Sequence, residues 1–412
     1  MDPKCPSHIR RRREMQTMVE DFSLNLPKFV SIPKATPYKV VVLTGTTGKL
    51  GSMLLADLIS DQSVSTVYAL NRDHKHPLTM RQREAFREKG IDEKLLNSDK
   101  LRLLVGDVLK SDFDLPSEVF REMKDSVTHI IHNAWPTALN PPLSFFKPSM
   151  EGLRNLLDFA MSSGAMFTFI SSAIVFNNAD MGEKFLEQPI PAHYALGYGY
   201  SESKWVGEQI VLNARANGLP TQSIRVGHLC GFKTNGSWSK WEWPTAMINS
   251  AKWLRCIPTF DRTCSWMYTE WASRAIVDSL DGGGKFPVLH LNHPNPVPWS
   301  IIANEVSSAL GAETVTFSEW FARLQKYKAS HGRDRSGNLY IALRLLPFLE
   351  TFVETTEAFG DHREAFGLAA MNMENTLKVC PSLSNPLKPG LGKRDARQWL
   401  VNLEERQVEA RL

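Results

Sequence analysis

Lys39-Val-Val-Val-Leu-Thr-Gly-Thr-Thr-Gly-Lys-Leu-Gly51, continued by Ser52-Met-Leu-Leu-Ala-Asp-Leu-Ile59, decides the fold of this chain. Val40–Leu43 reads as a strand and Leu50–Ser60 as an amphipathic helix. Between them stand Gly45, Gly48 and Gly51, preceded by Thr44. Such a turn needs glycine where φ is positive and where a side chain would block an approaching phosphate. The helix start adds unpaired N–H groups and a partial positive charge. A glycine triplet alone is weak evidence, and the strand before and helix after supply its context. The segment predicts a dinucleotide site with its pyrophosphate over the turn. The expected contacts are Thr44, Gly45, Thr47, Gly48, Lys49, Leu50 and Gly51.

Outward from this turn, short β-branched runs alternate with helical stretches. Thr66–Leu70, Leu101–Val105, Val127–His132, Met166–Ser171, Gln222–Val226 and Pro287–Leu291 read as strands. Met80–Lys89, Leu153–Met161 and Ser201–Ala216 read as helices. Alternation of this kind predicts an α/β fold, a doubly wound parallel sheet of the Rossmann type. After Gly231 the pattern breaks, and six tryptophans fall between Trp238 and Trp271. They suit core packing or the wall of an acyl pocket. From Ile301 the chain reads as mainly helical. The expected division is an N-terminal helix (Arg11–Phe22) and linker over 1–37, with Pro27 and Pro33 extending the chain. A dinucleotide-binding domain follows over 38–229 with 265–300. A smaller helical substrate lobe takes 230–264 with 301–412.

The second strand should end beside the adenosine ribose. An acid there would bind the 2′-hydroxyl of NAD, but the strand runs into Asn71-Arg72-Asp73. A guanidinium at Arg72 suits a 2′-phosphate, with Arg81 or Arg83 as a second contact, so NADPH is the expected cofactor. Asp73 becomes the relevant residue if the strand ends one position later. Asp107 follows the third strand and Asn133 the fourth, where they fit the adenine and the ribose. Both also serve as ordinary turn residues.

Tyr200 and Lys204 stand four apart on one helix face. A phenol near pKa 10 trades protons poorly at neutral pH, and a neighbouring ammonium should lower that value. Lys204 also has the reach for a nicotinamide ribose. A hydroxyl donor is expected from Ser171-Ser172 at the end of the fifth strand. Alternation lets only one face the cofactor, and Ser172 is the expected one. Tyr194 and Tyr198 read as packing or substrate-wall residues.

The bulk properties fit this reading. The chain has 412 residues and a net charge of +4, too small to imply a nucleic-acid partner but compatible with an anionic cofactor or an acidic carrier protein. Its five cysteines are odd in number and none is spaced Cys-x-x-Cys, so disulfide scaffolds and metal sites are not expected. No apolar run is long enough for a membrane span, and Arg10–Arg13 lack a following apolar segment, so a cytoplasmic protein is expected. Those arginines suit a solvated helix face or a nuclear address.

Five segments carry a resemblance: Thr44–Gly51, Ile131-His-Asn-Ala-Trp-Pro136, Phe169-Ile-Ser-Ser172, Gly199-Tyr-Ser-Glu-Ser-Lys-Trp205 and Arg225-Val-Gly-His. They resemble the thioester reductase domains of the extended short-chain dehydrogenase/reductase superfamily. Those domains end many non-ribosomal peptide synthetases, polyketide synthases and aminoadipate or carboxylic acid reductases. Met18–Pro27 is similar to the linker that follows a carrier domain there. The resemblance implies that NADPH reduces an acyl thioester, with Ser172 and Tyr200 on the oxyanion and Tyr200 giving the proton. A hemithioacetal then releases an aldehyde, and some relatives go on to the alcohol. No segment reads as an adenylation or carrier domain, so the expected partner is the carrier domain of a separate synthase or a small acyl thioester. The family's Trp-Ile-Pro-Val-Asp segment is replaced by Trp266-Met-Tyr-Thr-Glu270, which bears on substrate shape.

Two alternatives remain at this level. One is an extended dehydrogenase acting on a free carbonyl or a nucleotide sugar, for which Arg255, Arg262 and Arg274 are candidate phosphate ligands. The other is a non-catalytic NADP-sensing regulator or a redox-dead cyclase relative. Such proteins usually lose the tyrosine that stands here as Tyr200.

Overall fold

The computed structural model describes residues 6–29, 37–179, 184–331, 339–350, 363–384 and 389–409. Seven parallel strands form its centre: β1 (Lys39–Thr44), β2 (Val64–Asn71), β3 (Leu101–Val105), β4 (His129–His132), β5 (Met166–Ser172), β6 (Thr221–Val226) and β9 (Val288–Leu291). Their order is β3-β2-β1-β4-β5-β6-β9. The sheet is therefore doubly wound, and the strand order reverses between β1 and β4, where ligands of such sheets bind. Val41–Leu43 pair with His129–Ile131 in register, so Gly45 and Asn133 leave the sheet side by side.

The helices follow from the same alternation. They are α1 (Pro6–Ser23), α2 (Lys49–Ser60), α3 (Leu78–Glu88), α4 (Ser117–Ser126), α5 (Lys147–Ser163) and α6 (Gly199–Ala216). Helix α4 was not among the expected elements. It caps on Val127 and shortens the fourth strand to His129–His132. One face of the sheet packs Val40, Val42, Ile130 and Phe167 against α5 and α6. The other packs Val41, Leu43, Val67 and Ile131 against α2 and α8 (Thr269–Ser279).

Helix α1 is docked rather than trailing. Met15 is fully buried, and Met18, Val19 and Phe22 pack on the same core as α5 and α6. Arg11 pairs with Glu202 of α6 at 2.8 Å. Arg154 of α5 donates to the carbonyls of Phe22 and Leu24 at 3.1 and 2.6 Å. Phe29 N donates to Asn217 O. The expected extended segment around Pro33 lies outside the described residues.

A third core cluster lies in the C-terminal part. It is built on α7 (Trp243–Leu254), α9 (Trp299–Leu310), α10 (Phe317–His331) and the terminal helix Lys393–Glu409. β7 (Cys256–Pro258) pairs with β11 (Glu313–Val315), and β8 (Thr263–Cys264) with β10 (Val297–Pro298). Trp238, Trp266, Trp299, Trp320 and Trp399 are fully buried there, whereas Trp241 and Trp253 are exposed. Residues 369–383 depart from the expected division. Ala369 and Met371 join the core under α6, and Met373, Cys380 and Leu383 join the core under α8.

Candidate active site

The glycine turn is built from bonds that cross between segments. Gly45 takes φ +72°, and a Cβ there would meet Ala134 at 3.0 Å. A Cβ on Gly51 would stand 2.0 Å from Gly45 O, so α2 can approach the turn only with glycine at that position. Gly48 differs. A Cβ there would meet only Gly45 O, at 3.4 Å, an ordinary contact, and the residue is exposed. Gly48 is the N-cap of α2, and the packing around it does not itself exclude a side chain.

Thr44 is buried within the scaffold. Its Oγ1 accepts from Asn133 N and Ala134 N at 3.1 and 3.0 Å, and it meets His132 Nδ1 at 3.0 Å. Asn133 Nδ2 donates to Gly45 O at 3.2 Å. Neither side chain is held out toward a ligand; both fix where the turn sits. Leu50 is buried in the core and Thr47 is half-buried on the turn. Asp107 spends one carboxylate oxygen on Leu109 N at 3.0 Å, a local turn.

Lys49 points elsewhere. Its Nζ donates to Glu242 Oε1 and Oε2 at 2.9 and 3.1 Å and to Leu229 O at 2.8 Å. Its side chain thus forms an ion pair between the start of α2 and the start of α7. Arg81 also differs from expectation. It donates to the carbonyls of Arg72 and His76 at 3.0 and 3.2 Å and shapes the loop after β2. Arg72 itself is exposed. His74, inside this loop, has its pKa lowered by desolvation and then by Arg81, His76, Lys75 and Arg72. The end of β2 is thus a cationic patch beside the turn.

Sequence reading missed the clamp that holds this patch. Thr46 N donates to Asn71 Oδ1 at 3.1 Å, and Asn71 Nδ2 donates back to Thr46 Oγ1 at 2.7 Å. Thr46 Oγ1 donates to Gln82 Oε1 at 2.7 Å, and Gln82 Nε2 to Thr46 O at 3.0 Å. The turn, the end of β2 and α3 are one bonded unit. The signal was polar residues at positions that alternation and helical spacing turn inward.

Strand alternation parts the two serines. Ser171 Oγ donates to Glu208 Oε1 at 2.5 Å. Glu208 and Arg225 are wholly buried and paired at 2.7 Å, and Arg225 also meets His290 Nε2 at 3.2 Å. Ser172 faces the other way. Its hydroxyl accepts from Ile174 N at 3.3 Å and lies on the side of the Tyr200 phenol, whose pKa it lowers. The Glu208 network sets α6 against β5 and β6, and so sets Tyr200 against Ser172.

Lys204 is buried in an aromatic box. Its Nζ donates to Ile170 O at 2.7 Å and lies 4.5 Å from the Trp135 ring centroid, 4.8 Å from Phe169 and 5.9 Å from Tyr200. Trp135 is fixed by Ser203 Oγ at 3.1 Å. Desolvation lowers the pKa of Lys204 well below its usual value, against Glu208, which raises it. The expectation that Lys204 would acidify Tyr200 is corrected here. Burial pushes the phenol up to about 12, opposed only in part by the Ser172 hydrogen bond. Tyr200 holds its proton at neutral pH.

A cavity of about 180 Å³ opens beside Ser172. Trp243, Trp266, Phe348 and Phe366 supply aromatic wall, with His228 and Glu364 among its polar lining. No helix among the described residues is long and apolar enough to cross a membrane.

Known proteins resemble this chain at the level of sequence and of fold. The adenylate-forming reductase Nps10 of Heterobasidion annosum is 36 % identical over 405 residues, 96 % of this chain and 37 % of the relative. The adenylate-forming reductase Nps11 of Serpula lacrymans is 32 % identical over 85 % of this chain and 34 % of the relative. The chain thus spans about a third of the length of these curated relatives. The terminal R domain of the myxalamid PKS-NRPS pathway superposes with a TM-score of 0.77 at 20 % identity, over 96 % of this chain and 98 % of that domain. That likeness establishes the fold. Residues 43–276 match the family described as male sterility protein, an NAD-binding family, which accounts for the glycine turn, the switch-point crevice and a nicotinamide cofactor. The chain belongs to the male sterility protein family of NAD-binding domains.

Proposed function

We propose that this chain is an NADPH-dependent reductase that converts an acyl thioester to an aldehyde. The observation that carries the reading is the Ser172 hydroxyl on the cavity wall, on the side of the Tyr200 phenol, with Lys204 Nζ 5.9 Å from the centroid of the Tyr200 ring. Both hydroxyls can donate to one carbonyl oxygen as negative charge grows on it. Tyr200, kept protonated by burial, gives the proton. Lys204 stands near enough to ease the phenolate that remains. The reduced nicotinamide, when bound, supplies the hydride. The hemithioacetal so formed collapses to thiol and aldehyde.

The cofactor is proposed to be NADPH because Arg72 is exposed within a cationic loop that the Thr46–Asn71–Gln82 clamp fixes beside the turn. Gly48 is the proposed point of closest phosphate approach. The acyl group is proposed to arrive as a thioester on a carrier domain, as the names of the multidomain relatives suggest, or as a small thioester. The four described cysteines are free and buried, which suits a reducing cytoplasm.

The test is to incubate the protein with NADPH and acyl thioesters and to identify the products by mass. An aldehyde is expected. Tyr200→Phe should lower turnover by about 10²–10⁴-fold and leave the NADPH Kd within about twofold. Unchanged turnover, or equal loss of cofactor binding, would overturn the assignment of Tyr200 as acid.

A further inference from the structure

The cavity beside Ser172 holds a carboxyl that the proposed reaction does not use. Glu364 is 6 % exposed and lines the wall. Its Oε2 accepts from Ser265 N and Ser265 Oγ at 3.1 and 2.8 Å. No described residue bonds Oε1. The adjacent Arg363 donates to the carbonyls of Gly367 and Phe176 at 2.9 and 2.8 Å. Oε1 of Glu364 is left for whatever fills the cavity. His228 is a second such group. Its Nε2 is buried with no hydrogen-bond partner among the described residues, and its ring lies 4.8 Å from the Trp266 centroid.

Trp243, Trp266, Phe348 and Phe366 form the aromatic part of the wall, and the space is small. A cavity of about 150 Å³ lined by apolar side chains takes up benzene. The one here, at about 180 Å³, has room for a single ring with one or two substituents. We propose that Glu364 is a specificity determinant, and that the cavity takes a one-ring acyl group whose ring hydroxyl donates to Glu364 Oε1. The proposal rests on the thioester-reduction reading for the rest of the substrate. A neutral hydroxyl suits this site better than an ammonium. Burial pushes Glu364 up to about 7, and a cation brought into an aromatic pocket pays its own desolvation.

The test compares pantetheine thioesters of benzoate and of its three monohydroxy isomers, in the presence of NADPH. At least one hydroxy isomer should exceed benzoyl in kcat/KM by about tenfold or more, because a site built to bond a hydroxyl rejects the analogue without one. Glu364→Gln keeps the shape and a carbonyl for Ser265 but places an amide donor where Oε1 stood. In that variant the preference should shrink to within about threefold. Tryptophan fluorescence titration with the matching aldehydes gives a reading independent of hydride transfer, because Trp243 and Trp266 line the cavity. Aldehyde discrimination without reduction of any thioester would sink the reaction and leave the pocket assignment standing. Reduction without discrimination, or discrimination that survives Glu364→Gln, would overturn the role of Glu364.

Discussion

The glycine turn and the cavity are neighbours built on opposite terms. At the turn, Thr44, Thr46, Asn71, Gln82 and Asn133 bond one another or the backbone. In the cavity, His228 Nε2 is buried with no described hydrogen-bond partner, and Ser265 bonds only Oε2 of Glu364. A region whose polar groups are satisfied keeps its shape without a ligand and offers backbone N–H groups and a fixed charge. A region with unsatisfied groups is completed by the molecule that enters it. One half of the site is therefore general and rigid, and the other half selects.

Four measurements break or sharpen this contrast. Glu208→Ala has the largest expected effect, because it strands the buried guanidinium of Arg225. Unfolding stability should fall by about 3–5 kcal/mol in denaturant titrations. A loss below about 1 kcal/mol would show that the polar network does not hold the rigid half together. Arg72→Ala should weaken NADPH by about 1.5–3 kcal/mol, roughly 10- to 150-fold, with little change for NADH. Equal weakening of both would remove the 2′-phosphate from the cationic loop.

The glycines give a finer probe. Gly51→Ala should lower stability by about 1–3 kcal/mol, because its Cβ would collide with Gly45 O. Gly48→Ala should leave the melting temperature almost unchanged and weaken cofactor binding. If both variants behave alike, Gly48 is a fold residue and not a mark of the ligand. The smallest expected effect is on pH dependence. The folded Glu364 carboxyl keeps its proton to about pH 7, against 4.5 unfolded. Folding takes up a proton between those values, so stability falls as pH rises through them. Relative to Glu364→Gln, the wild type should lose on the order of 1–2 kcal/mol between pH 4.5 and 7. A parallel pair of pH curves would mean that Glu364 is hydrated in solution.

What was legible in the sequence was local. Strand, turn and helix lie within one contiguous stretch, and Tyr200, Lys204 and Ser172 sit on elements whose periodicity fixes their direction. Alternation separated Ser172 from Ser171 before any coordinates. What was not legible depended on chain ends that meet only in three dimensions. Lys49 stands at the start of α2 beside a phosphate-binding turn, but its four-carbon stem carries the charge to Glu242, 193 positions away. Tyr200 was expected to be acidified by its neighbouring ammonium. Burial, which spacing does not report, outweighs that effect. Glu364 had no signal at all. A lone glutamate in a helical region reads as solvated surface until Ser265, 99 positions earlier, is placed against it.

Helix α1 bears on how the reductase unit can be excised from any longer polypeptide. Cutting just before Lys39, where the recognisable motif begins, would remove Met15 from the packed interior and leave Glu202 without Arg11. Glu202 lies two residues from Tyr200 on α6 and has a side chain only 2 % exposed. A fragment trimmed to the motif would therefore be frayed behind Tyr200, and a stable fragment keeps α1 from Pro6 onward.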